Sequence, residues 1–154
     1  MIAVVTILTS GCKKKEEATP EPRDILSPLI EAYNQQFEVF KRGYMSNSQP
    51  RADLEYTFKQ TLDYEIQSIN ASEISRWENE ESRGAYTEPN LLDRDGVFAG
   101  IKANYLSSLK SYQSKVKANP QNRAQYIFEF DMAVNQFWDV TIVDPEIQKW
   151  INTQ

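Results

Sequence analysis

Carboxylates are the side chains of this sequence best able to do chemistry unaided. Glu78, Glu80 and Glu81 fall close together, and Glu129 stands two residues from Asp131. Two carboxyl groups facing across a cleft can serve as general acid and as base or nucleophile, as in glycoside hydrolysis. The spacing favours neither set. The first lies in a polar stretch, residues 78–88, that reads as a solvated charge run in a loop. Residues two apart on a helix point to different sides, so Glu129 and Asp131 divide between surface and rim. Histidine is absent from all 154 residues. That removes the commonest general base, the serine–histidine triad and most zinc or haem ligation. It also removes the Glu-x-x-His pairs of di-iron bundles.

Other constellations fail on inspection. Asp93-Arg94-Asp95-Gly96 has the look of a calcium loop. With Gly96 at loop position six, position one is Leu91 and position twelve is Lys102, where an EF-hand needs acidic ligands. Asp93 and Asp95 suit the positive end of a helix instead. Gly96 and Gly100 lie four apart and read as a small-residue packing face, with a ligand contact as the alternative. The chain has five glycines and no glycine-rich phosphate loop. No catalytic, cofactor or metal residues are assigned.

The elements that must position any site are marked by proline. Pro28, Pro50, Pro89, Pro120 and Pro145 divide the chain, and proline suits the first position of a helix. Asn119-Pro120 and Asp144-Pro145 place a capping residue ahead of such a proline. Asn90 with Asp93 approximates a capping box. Between these marks apolar residues recur at three and four. The first stripe is Leu26, Leu29, Ile30, Tyr33, Phe37, Phe40 and Tyr44. The second is Leu54, Phe58, Leu62, Ile66 and Ile69. It either continues through Ile74 and Trp77 or is recapped at Asn70-Ala71-Ser72-Glu73. The third is Phe98, Ile101, Tyr105, Leu109, Tyr112 and Val116, a helix of about 25 residues and roughly 38 Å. The fourth is Ile127, Phe130, Val134, Phe137 and Trp138. Residues 140–143 are β-branched and suit an extended link, and Ile147, Trp150 and Ile151 make a short terminal helix.

Each stripe is one apolar face of an α-helix, not the alternation of a strand. Four such faces with short connections predict an all-α fold: a four-helix antiparallel up-down bundle with a short C-terminal helix. Most of the eight Tyr, seven Phe and three Trp belong to its core. Buried tyrosine hydroxyls need partners, which places Tyr33, Tyr44, Tyr105 and Tyr112 at the bundle rim. Net charge is −5, and no basic stripe occurs, which argues against nucleic acid.

The N-terminus carries a different signal. Residues 2–8 are apolar, too short to span a bilayer, and Thr9-Ser10-Gly11 leads into Cys12, the lone thiol. This resembles the lipobox of bacterial lipoproteins, in which the cysteine becomes the mature N-terminus and is acylated. The position three before the cysteine is Thr9 rather than the usual leucine, with Leu8 one further back. No Lys or Arg precedes the apolar run, although export signals carry positive charge there; a start upstream of Met1 would supply it. Residues 13–22 hold three Lys, three Glu and two Pro and suit an extended, neutral spacer. Lysines followed by Glu16-Glu17 also resemble the surface-export tag of Bacteroidetes lipoproteins. The resemblance covers the first residues only. It implies residues 1–11 as signal peptide, Cys12 with 13–22 as lipidated tether, and 23–154 as the bundle. With no disulfide available, the bundle is held by packing alone.

The expectation is a lipid-anchored protein of the bacterial envelope, at the outer membrane on its periplasmic side or at the cell surface. Its helical domain is read as a non-enzymatic module that binds an envelope protein, of adaptor, assembly-factor or immunity type. The interaction surface would comprise Glu78, Glu80, Glu81, Tyr86, Tyr33 and Tyr44. The alternatives are a bundle that closes an aromatic pocket on a small ligand and a carboxylate-only hydrolase.

Overall fold

The computed structural model describes residues 24–154. Cys12, the signal and the tether lie outside them. Every regular element among the described residues is helical: α1 (Ser27–Ser46), α2 (Arg51–Glu81), α3 (Ile101–Ala118), α4 (Arg123–Phe137) and α5 (Asp144–Ile151). Short 3-10 turns at Gly96–Phe98 and Pro120–Asn122 precede α3 and α4, and a π-helical segment, Trp138–Val143, joins α4 to α5. The main helices form an antiparallel bundle, with α1 on α2, α3 on α4 and α2 on α4. No described helix is long and apolar enough to cross a membrane.

Local chemistry explains where these helices stop. Asn47 takes the left-handed conformation (φ 52°), and the Ser48 amide reaches back to the Gly43 carbonyl at 3.3 Å. Asparagine tolerates that region better than most residues, so α1 ends there. Gly84 (φ 66°) ends α2 in the same way, with the Ala85 amide on the Glu80 carbonyl at 2.9 Å. Between α1 and α2 the chain turns in a few residues, and Gly43 makes the corner tight. A Cβ there would lie 2.6 Å from Leu54 Cδ2.

Several expectations change. The second helix has no break: α2 runs unbroken for 31 residues, roughly 46 Å at 1.5 Å per residue. Asn70 does not cap it. Its amide crosses to α4 and donates to Asp131 at 2.8 Å. The third helix is 18 residues long, shorter than the apolar spacing suggests, because Phe98 sits in a 3-10 turn. Residues 140–143 are not extended but π-helical. The widening lies directly before Pro145, which has no amide to offer the carbonyl four residues back. Asn119 makes no side-chain cap, and the Asp144 carboxylate pairs with Lys59 at 2.7 Å instead. Asn90 and Asp93 form no capping box, since Asp93 binds Lys102 at 3.1 Å. Gly96 (φ 63°) is a turn residue, while Gly100 is the packing glycine, where a Cβ would meet the Phe137 ring at 2.9 Å.

The core is aromatic. Tyr33 touches the rings of Phe37, Phe58, Phe98 and Trp138, and Phe130 stacks between Tyr105 and Tyr112. Tyr33, Tyr105 and Tyr112 are thus buried rather than at a rim. The apolar stripes outweigh the hydroxyls. Burial pushes the proton affinity of all three phenols up.

Two buried carboxylates direct the long connection between α2 and α3. Glu73 is 4% exposed. It accepts from Arg76 Nε and Nη2 at 3.0 and 2.7 Å and from the Tyr86 hydroxyl at 2.8 Å. Arg76 also donates to the Thr87 carbonyl at 2.7 Å. Asp24 accepts the amides of Leu26 and Leu92 at 3.0 and 3.1 Å and Arg94 Nη2 at 3.0 Å. The connection is thereby tied along the bundle. Phe98 ends against Tyr33 and Trp138, so α3 starts there and finishes beside Glu81, which pairs with Lys117 at 2.9 Å.

Two measurements check this account. Phe130→Ala should cost about 3–5 kcal/mol in urea unfolding, as large core truncations do; a loss under about 1 kcal/mol would contradict the assigned core. Glu73→Ala removes the acceptor of the Tyr86 hydroxyl and of two Arg76 donors; since Arg76 keeps Glu80 and Thr87 and is one-third exposed, the loss should fall below that of a fully buried pair, about 3–5 kcal/mol. The substitution should also speed proteolysis within residues 82–95, and an unchanged cleavage rate would show that the connection does not depend on Glu73.

Candidate functional site

Glu78, Glu80 and Glu81 stand on the last turns of α2, not in a free loop, and each is paired. Glu78 takes two bonds from Arg123 at 2.9 and 2.8 Å. Glu80 binds Arg76 at 2.9 Å, and Glu81 binds Lys117. The Glu81 and Glu78 pairs join α2 to α3 and α4 at one end of the bundle, while Glu80–Arg76 lies within α2. Glu129 lies 3.6 Å from Lys115, and Asp131 serves Asn70.

The tyrosines divide. Tyr33 is in the core. Tyr44 is half-buried, stacked on Phe40 and edge-on to Trp150 at 5.4 Å. Tyr86 is half-buried under the Arg76 guanidinium, which sits 4.7 Å from its ring centre. Its hydroxyl accepts from Gln113 at 3.2 Å while donating to Glu73. Burial, then the Glu73 carboxylate, pushes its proton affinity up to about 12. These six residues do not converge on one surface.

A different set does converge. The α2–α4 seam is antiparallel, since Arg123 meets Glu78 and Asp131 meets Asn70. Continuing the register brings the π-helical segment beside the middle of α2. A groove of about 330 Å³ opens there, lined by Tyr56, Lys59, Gln60, Asp63, Tyr64 and Gln67 of α2 and Asp139 of the π segment. Tyr56 and Tyr64 are 65% and 64% exposed, and Val140 beside Asp139 is 68% exposed. Phe128 and Met132 of α4 are exposed as well.

The electrostatics of the groove are unusual. Asp63 and Asp139 each hold one carboxylate oxygen closed off from water and without a hydrogen-bond donor. Burial raises the proton affinity of both. For Asp139 the neighbouring Asp63 charge adds to it, against Lys59, and takes its carboxyl up to about 6. Lys59 is drawn to Asp144 at 2.7 Å. That pair, with Asp139 and Glu55 nearby, holds its ammonium more firmly charged than usual despite burial. Chemically, the Asp139 carboxyl takes up a proton as pH falls through about 6. Among the described residues no group of three or more acidic, His or Cys side chains comes together as a metal site.

Sequence reasoning passed over Asp63 and Asp139. Asp63 is one residue from the core position Leu62 and looks like any surface acid. Asp139 follows Trp138, where the fourth stripe ends. The available signal was Tyr56, Gln60 and Tyr64, spaced by four on a polar face, with Lys59 and Asp63 beside them.

The raised Asp139 carboxyl has a pH consequence. Its unfolded value is about 3.9, so the folded state binds this proton more tightly. Its contribution favours folding below about pH 4 and is lost as pH rises through about 6. Thermal midpoints of the wild type should therefore fall more between pH 4.5 and 7 than those of Asp139→Asn. Equal slopes would show that Asp139 does not titrate in that window.

No protein-family model, curated protein or solved structure matches this chain, so the roles of these residues are argued from their geometry.

Proposed function

We propose that the chain is a lipid-anchored binding module of the bacterial envelope, acylated at Cys12, whose helical domain holds a protein partner without turnover. The observation that supports it most is the outer face of the α2–α4 seam. Tyr56 and Tyr64 of α2, Phe128 and Met132 of α4 and Val140 of the π segment are exposed, while most other aromatics are spent on the core. Exposed apolar side chains gathered on one face mark interaction sites, and aromatics and methionine are enriched at interfaces. A tether of about ten residues near a membrane raises the effective concentration for partners there.

The second reading, a carboxylate hydrolase, draws on Asp63 and Asp139. A carboxyl taken up to about 6 beside another carboxylate suits a general acid. Against it, one oxygen of each is closed off and the groove is shallow beside two exposed rings.

The test uses the full-length lipidated chain crosslinked in membranes. A specific envelope protein should be captured, and Tyr64→Ala with Phe128→Ala should abolish capture without changing the circular dichroism. Capture that is indifferent to both changes would refute the assigned face. Labelling with an alkyne fatty acid should be lost in Cys12→Ser, and equal labelling would remove the anchor. Hydrolysis of a cell-wall or glycan substrate that Asp139→Asn abolishes would replace binding with the hydrolase.

A further inference from the structure

The line of side chains that α4 turns to solvent is uncharged, and its polarity reads the same from either end. We propose that this line docks on its own counterpart in a second copy of the chain, the two α4 helices lying antiparallel about a two-fold axis level with Phe130. This rests on the binding reading above and names the partner of the α4 part of that face.

Gln125, Phe128, Met132 and Gln136 follow one another at three or four residues, so they share one face of the helix. All four are exposed, Phe128 at 62%. The charged residues of α4 are turned aside to neighbouring helices: Arg123 to Glu78, Glu129 to Lys115 at 3.6 Å and Asp131 to Asn70. The line therefore runs amide, apolar, apolar, amide. Reversing α4 on itself sets Phe128 of each copy on Met132 of the other, and Gln125 on Gln136 in the same register to within one residue. A ring against a thioether is a favourable contact, and a glutamine amide can both donate to and accept from another. A parallel pair would instead set ring on ring and sulfur on sulfur, with the helix dipoles aligned. Charge favours a second copy over a foreign partner. A basic partner would find no opposite charge on this line. Two copies, each at −5, repel through most of their surfaces and meet at least cost where the charge is absent. The face is small. The 15 residues of α4 make a helix roughly 22 Å long, which by itself covers less than a standard interface, about 800 Å² per partner. Pairing is therefore weak in solution, with a dissociation constant above about 1 μM, and gains from confinement of anchored copies on one membrane.

The experiment is sedimentation velocity on the purified full chain, under reducing conditions and over a wide range of concentration. The sedimentation coefficient should rise from monomer to dimer and stop there, since a two-fold contact closes on itself. Phe128→Glu and Met132→Lys should each weaken pairing at least about tenfold, as central interface positions do. Mixing those two variants should restore pairing to within about threefold of wild type, because the acid at 128 of one copy then faces the base at 132 of the other. Gln125→Glu alters a side chain exposed on the same line, should weaken pairing several-fold, and keeps the test open if either central variant fails to fold. A monomer at every concentration, pairing unweakened in Phe128→Glu, or rescue of Phe128→Glu by Phe128→Lys in place of Met132→Lys would overturn the proposal. A monomeric chain that still captures a different envelope protein through Phe128 would sink this inference and leave the binding reading standing. Pairing as described, in a chain that also hydrolyses a glycan, would sink the binding reading alone.

Discussion

Glu73 is a carboxylate enclosed in a helical bundle, and the path of the chain between α2 and α3 depends on how its charge is balanced. An ionised acid at 4% exposure is tolerable only with several donors. Arg76 supplies two from the same helix, and Tyr86 supplies one from the connection itself. Arg76 in turn grips the Thr87 carbonyl and lies over the Tyr86 ring. A residue that would be unstable alone thus becomes the reason for a fixed connection. Asp24 repeats the logic at the start of α1, where one carboxylate organises the Leu26 and Leu92 amides and Arg94. Long connections are ordinarily the loosest part of a bundle; here buried charge ties one down.

The consequence reaches the core. Because the connection is held along the bundle, Phe98 arrives beside Tyr33 and Trp138, and α3 begins at that level. Its stripe then meets α4, with Phe130 between Tyr105 and Tyr112. Packing of aromatic rings against one another is strongly dependent on geometry. Small residues set how closely the helices approach, Gly43 under Leu54 and Gly100 under Phe137. The bundle is therefore positioned by buried ion pairs and two glycines, then filled by rings.

The same seam that carries the half-buried Asn70–Asp131 bond carries the groove on its outer side. Antiparallel packing of α2 on α4 brings Asp63 opposite Asp139, and the π-helical turn before Pro145 sets the aim of Asp139. A wider turn in an otherwise α-helical run often accompanies a functional position. Here it leaves two acids near each other without donors, at a local cost that the surrounding core sustains. Charge left unbalanced inside a well-packed fold is the kind of inconsistency expected at a site of interaction.

Helical class, the number of main helices and the core faces were legible in the sequence, because a period of 3.6 residues writes itself directly into apolar spacing. Leu54, Phe58, Leu62 and Ile66, or Ile101, Tyr105 and Leu109, could be read as buried before any packing was known. The same ladder reached Asn70, but a polar residue carries no apolar signal, so its burial and its bond to Asp131 were not legible. Helix ends were misread where side-chain caps were expected at Asn119 and Asp144, since a cap competes with every other partner in reach and Lys59 reached Asp144. Glu78, Glu80 and Glu81 looked free because their cations, Arg123, Arg76 and Lys117, belong mostly to other helices. Asp63 and Asp139 are 76 positions apart in the chain, and no local pattern links them. Sequence determines which faces must be hidden through short-range periodicity; which polar groups then meet depends on the register of one helix on another, and only the tertiary structure decides that.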